Sequence, residues 1–109
     1  MEKTFILLFD PGPNWDDTKE IEEQQFWDEH VNFVDDLFAQ GKVVITGPIL
    51  DYDRIVIIYE AINESEIRIT FKDDPFLKNG ILFLESVMEW KIRLDQKKDY
   101  HLSELGEVQ

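Results

Sequence analysis

Cysteine is missing from this 109-residue chain, which excludes a disulfide framework and gives no support to a small secreted scaffold. Glycine is scarce, five residues with no two adjacent, so a phosphate-cradling loop or a dinucleotide fingerprint has nowhere to sit. No Ser–His–Asp spacing is present either. Long apolar runs are lacking. The one that opens the chain, Phe5 to Phe9, is far too short for a signal-peptide core or a membrane span. A cytoplasmic protein with no membrane partner is therefore expected. Basic residues are few: 11 stand against 24 acidic ones, for a net charge of −13. Nucleic-acid binding needs a basic face and is disfavoured, as is an anionic membrane surface. Anionic substrates are disfavoured too, unless Arg54 or a lysine lines the pocket.

Bulky apolar material, by contrast, is plentiful. Eight Phe, three Trp and three Tyr within a 43% hydrophobic composition argue against disorder despite the charge. A chain of this length buries roughly two-thirds of its unfolded surface, enough for one core in one domain. Residues 1–92 are assigned to that domain and 93–109 to a polar C-terminal tail. Lys91, Arg93, Lys97 and Lys98 fall at this junction, where a solvated tail explains them more simply than a binding patch.

The run from Thr4 to Phe9, stopped by Asp10-Pro11-Gly12-Pro13, reads as a buried strand. A long loop follows to about Thr18, and loops of that size often border a site. Ile21 to Gln40 reads as the main helix. One apolar row holds residues 27, 31, 34 and 38, a second holds 26, 33 and 37, and Gly41 is placed to end it. Val43 to Thr46 is a short strand ending at Gly47-Pro48, a pair that suits an edge or a strand end. Ile55 to Glu60 is the next strand. Asn63 and Glu66 form a helix-start signature, with Ile62 able to staple onto Ile67, and that helix is over by Asp73 because Pro75 disfavours helix at Asp74. Ile81 to Ile92 is the last strand. Strict alternation puts Leu82, Leu84, Met88, Trp90 and Ile92 on one face, with Ile81, Phe83 and Val87 on the other.

Strand, helix, strand, strand, helix, strand is an α+β, ferredoxin-like βαββαβ order. It predicts an antiparallel four-stranded sheet with both helices on one face. The other face is left bare, and two such faces packing together would make a homodimeric α+β barrel.

Chemistry-bearing residues are sparse. There are only two histidines. His30 lies in the second row of the main helix, toward the core margin, where a titratable ring is costly unless something orients it. His101 in the tail has no ligand spacing to another His. Asp16-Asp17 and Asp35-Asp36 are adjacent pairs that point to different sides and read as solvated surface rather than a metal site. Nothing suggests a bound cofactor.

The frame Trp27-x2-His30-x2-Phe33-x3-Leu37-x3-Gly41-x5-Gly47-Pro48, followed by Asp74-Pro75-Phe76, resembles the YciI-like (YCII-related) family of the dimeric α+β barrel group over roughly residues 4 to 90. Phe9-Asp-Pro-Gly-Pro-Asn-Trp15 and Phe26-Trp27-x-x-His30 are similar to one subgroup. The resemblance implies a His–Asp pair at the pocket, which maps to His30 and Asp74. A carboxylate on one ring nitrogen fixes the tautomer and leaves the other nitrogen free to move a proton. The expectation is cofactor-independent proton transfer of the isomerase or lyase type on a small organic molecule. Pocket-lining candidates are Trp15, Phe26, Gly47, Pro48, Arg54 and Phe76. The competing expectation is a non-catalytic small-ligand-binding or assembly module, in which His30 only pins the first helix to the loop before the last strand.

Overall fold

A computed structural model describes residues 1–96 of the chain. Most of the expected tail, with Lys97, Lys98 and His101, lies outside the described residues. The elements run β1 (Lys3–Pro11), α1 (Trp27–Ala39), β2 (Val43–Ile49), β3 (Arg54–Ala61), α2 (Glu64–Phe71), α3 (Pro75–Lys78) and β4 (Leu82–Glu89). The strands form one four-stranded sheet in the order β2-β3-β1-β4, with every pairing antiparallel. This is the α+β arrangement that the element order implies.

Alternation along the central strands sorts the two sheet faces. Phe5, Leu7 and Phe9 of β1 and Ile57, Tyr59 and Ala61 of β3 are buried, and they share one core with Leu37, Ile67, Phe71 and Phe76 from the helices. Phe71 is the hub of that core, its ring 5.4 Å from those of Phe9 and Tyr59 and 5.6 Å from that of Phe33. The helices therefore cover this face. The intervening residues, Ile6, Leu8, Val56 and Ile58, lie on the opposite face and are partly exposed.

Helix ends follow local chemistry. Gly41, at φ 79°, closes α1 with a Schellman motif in which the Lys42 amide donates to the Leu37 carbonyl at 2.9 Å and the Gly41 amide to that of Phe38 at 3.0 Å. Asn63 accepts from the Glu66 amide at 2.9 Å, while the Glu66 carboxylate reaches back to the Ile62 amide at 2.7 Å. That extra bond, with Lys42 alongside, holds the Glu66 carboxyl below its ordinary pKa against a smaller opposing effect of burial.

Five sequence expectations are corrected, the last of them at Gly47-Pro48. The segment from Ile21 is not continuous with the main helix. Ile21–Glu23 is an isolated 3-10 turn, and α1 starts only at Trp27. The break is at Phe26, whose left-handed backbone (φ 70°, ψ 15°) redirects the chain at a cost of about 1–2 kcal/mol for a residue with a side chain. Along α1 the buried face runs through His30 and Leu37, with Trp27, Phe33 and Val34 packed beside them, and Phe38 is exposed. In β4 the alternation breaks: Leu8 pairs Ser86 but Phe9 pairs Leu84, so Glu85 is the extra residue of a bulge. A one-residue slip flips every later side chain. Val87, opposite Leu7, thus joins Leu82 and Leu84 on the core face, and Met88, opposite Ile6, turns outward. Ile62 is exposed rather than covered against Ile67.

Gly47 and Pro48 sit inside β2 rather than at its end, which the sheet tolerates because β2 is an edge strand. The segment after β1 is clamped to the one before β4. The Gly12 amide donates to the Ile81 carbonyl and the Asn14 amide to that of Gly80, both at 2.8 Å. A Cβ on Gly12 would meet the Gly80 carbonyl oxygen at 2.4 Å, so this approach requires glycine.

Candidate active site

Three stretches of chain meet at His30. It lies in the first turn of α1, its amide donating to the Phe26 carbonyl at 2.9 Å. Asp74 precedes Pro75, whose ring disfavours helix at the residue before it. Asp74 accordingly takes an extended conformation and becomes the N-cap of α3, accepting from the Phe76 amide at 2.9 Å. The cap points its carboxylate at α1, and Asp74 Oδ1 lies 2.8 Å from His30 Nδ1. Both residues are buried, Asp74 to 1% exposure and His30 to 9%.

The imidazole stacks on Phe76 at a centroid distance of 4.2 Å and an interplanar angle of 11°, with Trp27 tilted beside both rings at 5.9 and 6.1 Å. Phe76 is fully buried and forms the wall behind the ring. With Nδ1 given to Asp74, the nitrogen left for the open side is Nε2. That side is a cavity of about 210 Å³, lined by His30 with Ile21, Trp27, Val31, Val34, Gly47, Pro48, Ile55 and others. The wall is mostly apolar, as expected of a small-molecule site.

The sequence-derived candidates thus divide. Gly47 and Pro48 line the His30 cavity through the edge strand. Trp15 and Arg54 line an adjoining cleft of about 450 Å³ that shares Ile21, Glu22, Pro48 and Ile55 with it. Arg54 is engaged there by Asp10 through two bonds of 2.7 and 3.0 Å, which hold its guanidinium above its ordinary pKa. Phe26 and Phe76 line neither space; Phe26 supplies the backbone turn that starts α1, and Phe76 stacks behind His30.

Sequence reasoning did not single out Ile21 and Glu22 as lining residues. They reach the cavity because the loop before α1 is tied into a closed ring by Gln24, itself only 4% exposed. Its carbonyl oxygen accepts from the Asp16 amide at 3.0 Å, and its NH2 donates to the carbonyls of Asp16 and Lys19 at 2.8 and 3.2 Å. A buried glutamine leaves no periodic signature that could have revealed this. Among the described residues, no three His, Asp or Glu side chains converge as metal ligands, and no helix is long and apolar enough to cross a membrane.

The model of the YCII-related domain matches residues 11–91, which takes in His30, Asp74 and the edge strand between them. The chain belongs to the YCII-related domain family. No curated protein matches it. Among solved structures, this YCII-related chain is similar to the 5-chloro-2-hydroxyhydroquinone dehydrochlorinase TftG of Burkholderia phenoliruptrix AC1100, in complex with 2,5-dihydroxybenzoquinone. The likeness covers 87% of this chain and 99% of that one, at 17% identity and a TM-score of 0.56. At that identity it speaks for a common fold.

Proposed function

We propose that this YCII-related protein catalyses cofactor-independent proton transfer on a small organic molecule, with His30 as acid/base and Asp74 as the residue that orients it. The observation that carries the reading is a buried imidazole held by a carboxylate at 2.8 Å while it lines an apolar cavity. Asp74 accepts the Nδ1 proton, so neutral His30 presents the Nε2 lone pair to the cavity. Nε2 takes a proton from a C–H or O–H bond of the ligand, and Asp74 balances the imidazolium that results. Return of the proton to another ligand atom completes an isomerisation. Alternatively, the C–H electron pair becomes a C=C bond while a leaving group departs with its own pair, which completes an elimination. The dehydrochlorinase named among the fold's solved structures supports the second course as a chemistry this scaffold can host.

The working unit is proposed to be residues 1–92, acting as a homodimer in the cytoplasm, with 93–109 as an appended tail. The bare sheet face supports the dimer. Across it Ile45 faces Ile58, Ile58 faces Ile6, and Ile6 faces Met88, an apolar row that a monomer leaves in water.

The competing reading, a ligand-binding or assembly module in which His30 only pins α1 to α3, is favoured by the close stacking of His30 on Phe76. Solvent-hydrogen exchange into a panel of small carbonyl and quinol compounds in D2O, followed by NMR, separates the two. Exchange that is lost in His30→Gln, with the fold intact, supports catalysis. Absence of exchange across the panel, with ligand binding unchanged in His30→Gln, supports the binding module.

A further inference from the structure

The His30 cavity is lined asymmetrically in charge. Besides His30, its ionisable lining residues among the described ones are Glu22 and Asp35, and no described lysine or arginine reaches it. Both carboxylates are exposed at the rim, and neither is engaged by another described side chain. The buried pair does not offset them, because His30 with Asp74 carries no net charge when the ring is protonated and one negative charge when it is neutral. The cavity mouth is negative in either state. Glu22 also lines the adjoining cleft of about 450 Å³, so it stands at the junction of the two spaces. Among the described residues, the one cation of that cleft, Arg54, is already engaged by Asp10.

Size narrows the ligand further. An apolar cavity of about 150 Å³ accepts benzene, so a space of about 210 Å³ holds a single ring with a short substituent. We propose that Glu22 is a specificity-determining residue of the His30 cavity, selecting single-ring ligands that carry a cationic amino group and rejecting those with a carboxylate in its place. This rests on the reading of the cavity as a ligand site. Low-dielectric walls behind a charged rim concentrate the field at the mouth, and a rim ion pair exposed to water adds a modest increment to affinity.

Benzylamine, benzyl alcohol and benzoate share a ring and differ in charge. Each is titrated at neutral pH and low salt into the full chain, wild type, Glu22→Gln and Asp35→Asn, with the Trp27 indole and His30 imidazole NMR signals as reporters. Wild type is expected to bind the amine about three- to fivefold more tightly than the alcohol, with benzoate weakest. Glu22→Gln brings the amine close to the affinity of the alcohol, whereas Asp35→Asn, which removes the other rim charge, narrows the preference less. Benzoate binding as well as the amine overturns the proposal, as does a preference that survives Glu22→Gln or disappears in Asp35→Asn. Alcohol and amine binding equally overturns charge selection while the ligand site stands. Silence of both reporters toward all three compounds overturns the site and the selection together.

Discussion

Asp74 meets His30 through the same oxygen that caps α3: Oδ1 lies 2.8 Å from His30 Nδ1 and accepts the Phe76 amide at 2.9 Å. One carboxylate thus serves a helix start and an imidazole together, and the two duties can be separated by substitution. Asp74→Asn retains a good N-cap residue but removes the charge, so it is expected to unfold near the wild-type urea midpoint while the proposed proton transfer slows by about a hundredfold or more. Asp74→Ala removes the cap and leaves a buried imidazole nitrogen without its partner, at a cost of about 2–4 kcal/mol in the same urea titration. The ring's 15N shifts report the Nδ1–H form in wild type and its loss of dominance in both variants.

Two glycines are expected to respond in opposite ways. Gly12→Ala drives a methyl group to 2.4 Å from the Gly80 carbonyl oxygen and breaks the clamp between the segment after β1 and the one before β4. A loss of about 1–3 kcal/mol is expected by calorimetry. Gly47→Ala meets nothing within 4 Å and changes unfolding temperature little, because an edge strand has room for a methyl group.

Alkaline pH tests Tyr59. Burial pushes its phenol above the ordinary value of 10.0, with Lys42 opposing weakly. The neutral form is thus favoured in the folded state. Its contribution to stability is intact below pH 10 and is lost as pH rises through the folded-state pKa, because the unfolded chain ionises first. Urea midpoints against pH should decline more steeply above pH 10 in wild type than in Tyr59→Phe, with the phenolate absorbance that is missing from Tyr59→Phe appearing together with unfolding.

The sheet's bare face makes a prediction about assembly. Ile58 lies in the apolar row between Ile45 and Ile6 with its side chain directed away from the helices. Ile58→Asp sets a charge in the middle of that row and should convert a dimer to a monomer in light scattering, while far-ultraviolet dichroism stays unchanged. A wild-type monomer at micromolar concentration would remove the dimer from the proposal.

Where the physics is local, the sequence is legible. The Asp10–Pro13 breakers, the Asn63 and Glu66 cap, Gly41 and the restriction that Pro75 places on Asp74 each act within a few residues, and each leaves a readable pattern. The site pair was reachable because Asp74-Pro75-Phe76 and the frame around His30 keep an order and spacing that resemble one family. Two features were not legible. Phe26 is left-handed although its residue type disfavours that conformation, so nothing in the pattern ends the apolar row there. Glu85 enters β4 as an extra residue without altering composition, and the alternation downstream then reads in reverse. In both cases tertiary packing decided against the local preference.

Gln24 has a consequence for how such a chain can diversify. The cavity rim at Ile21 and Glu22 is carried by a loop that one amide side chain ties to itself, with Ile21 packed against the core and Glu22 exposed. On the proposed reading, ligand preference is set at Glu22, a position that the core does not need. That preference can drift by exchanging Glu22 while the imidazole and its carboxylate, fixed from α1 and α3, stay in place.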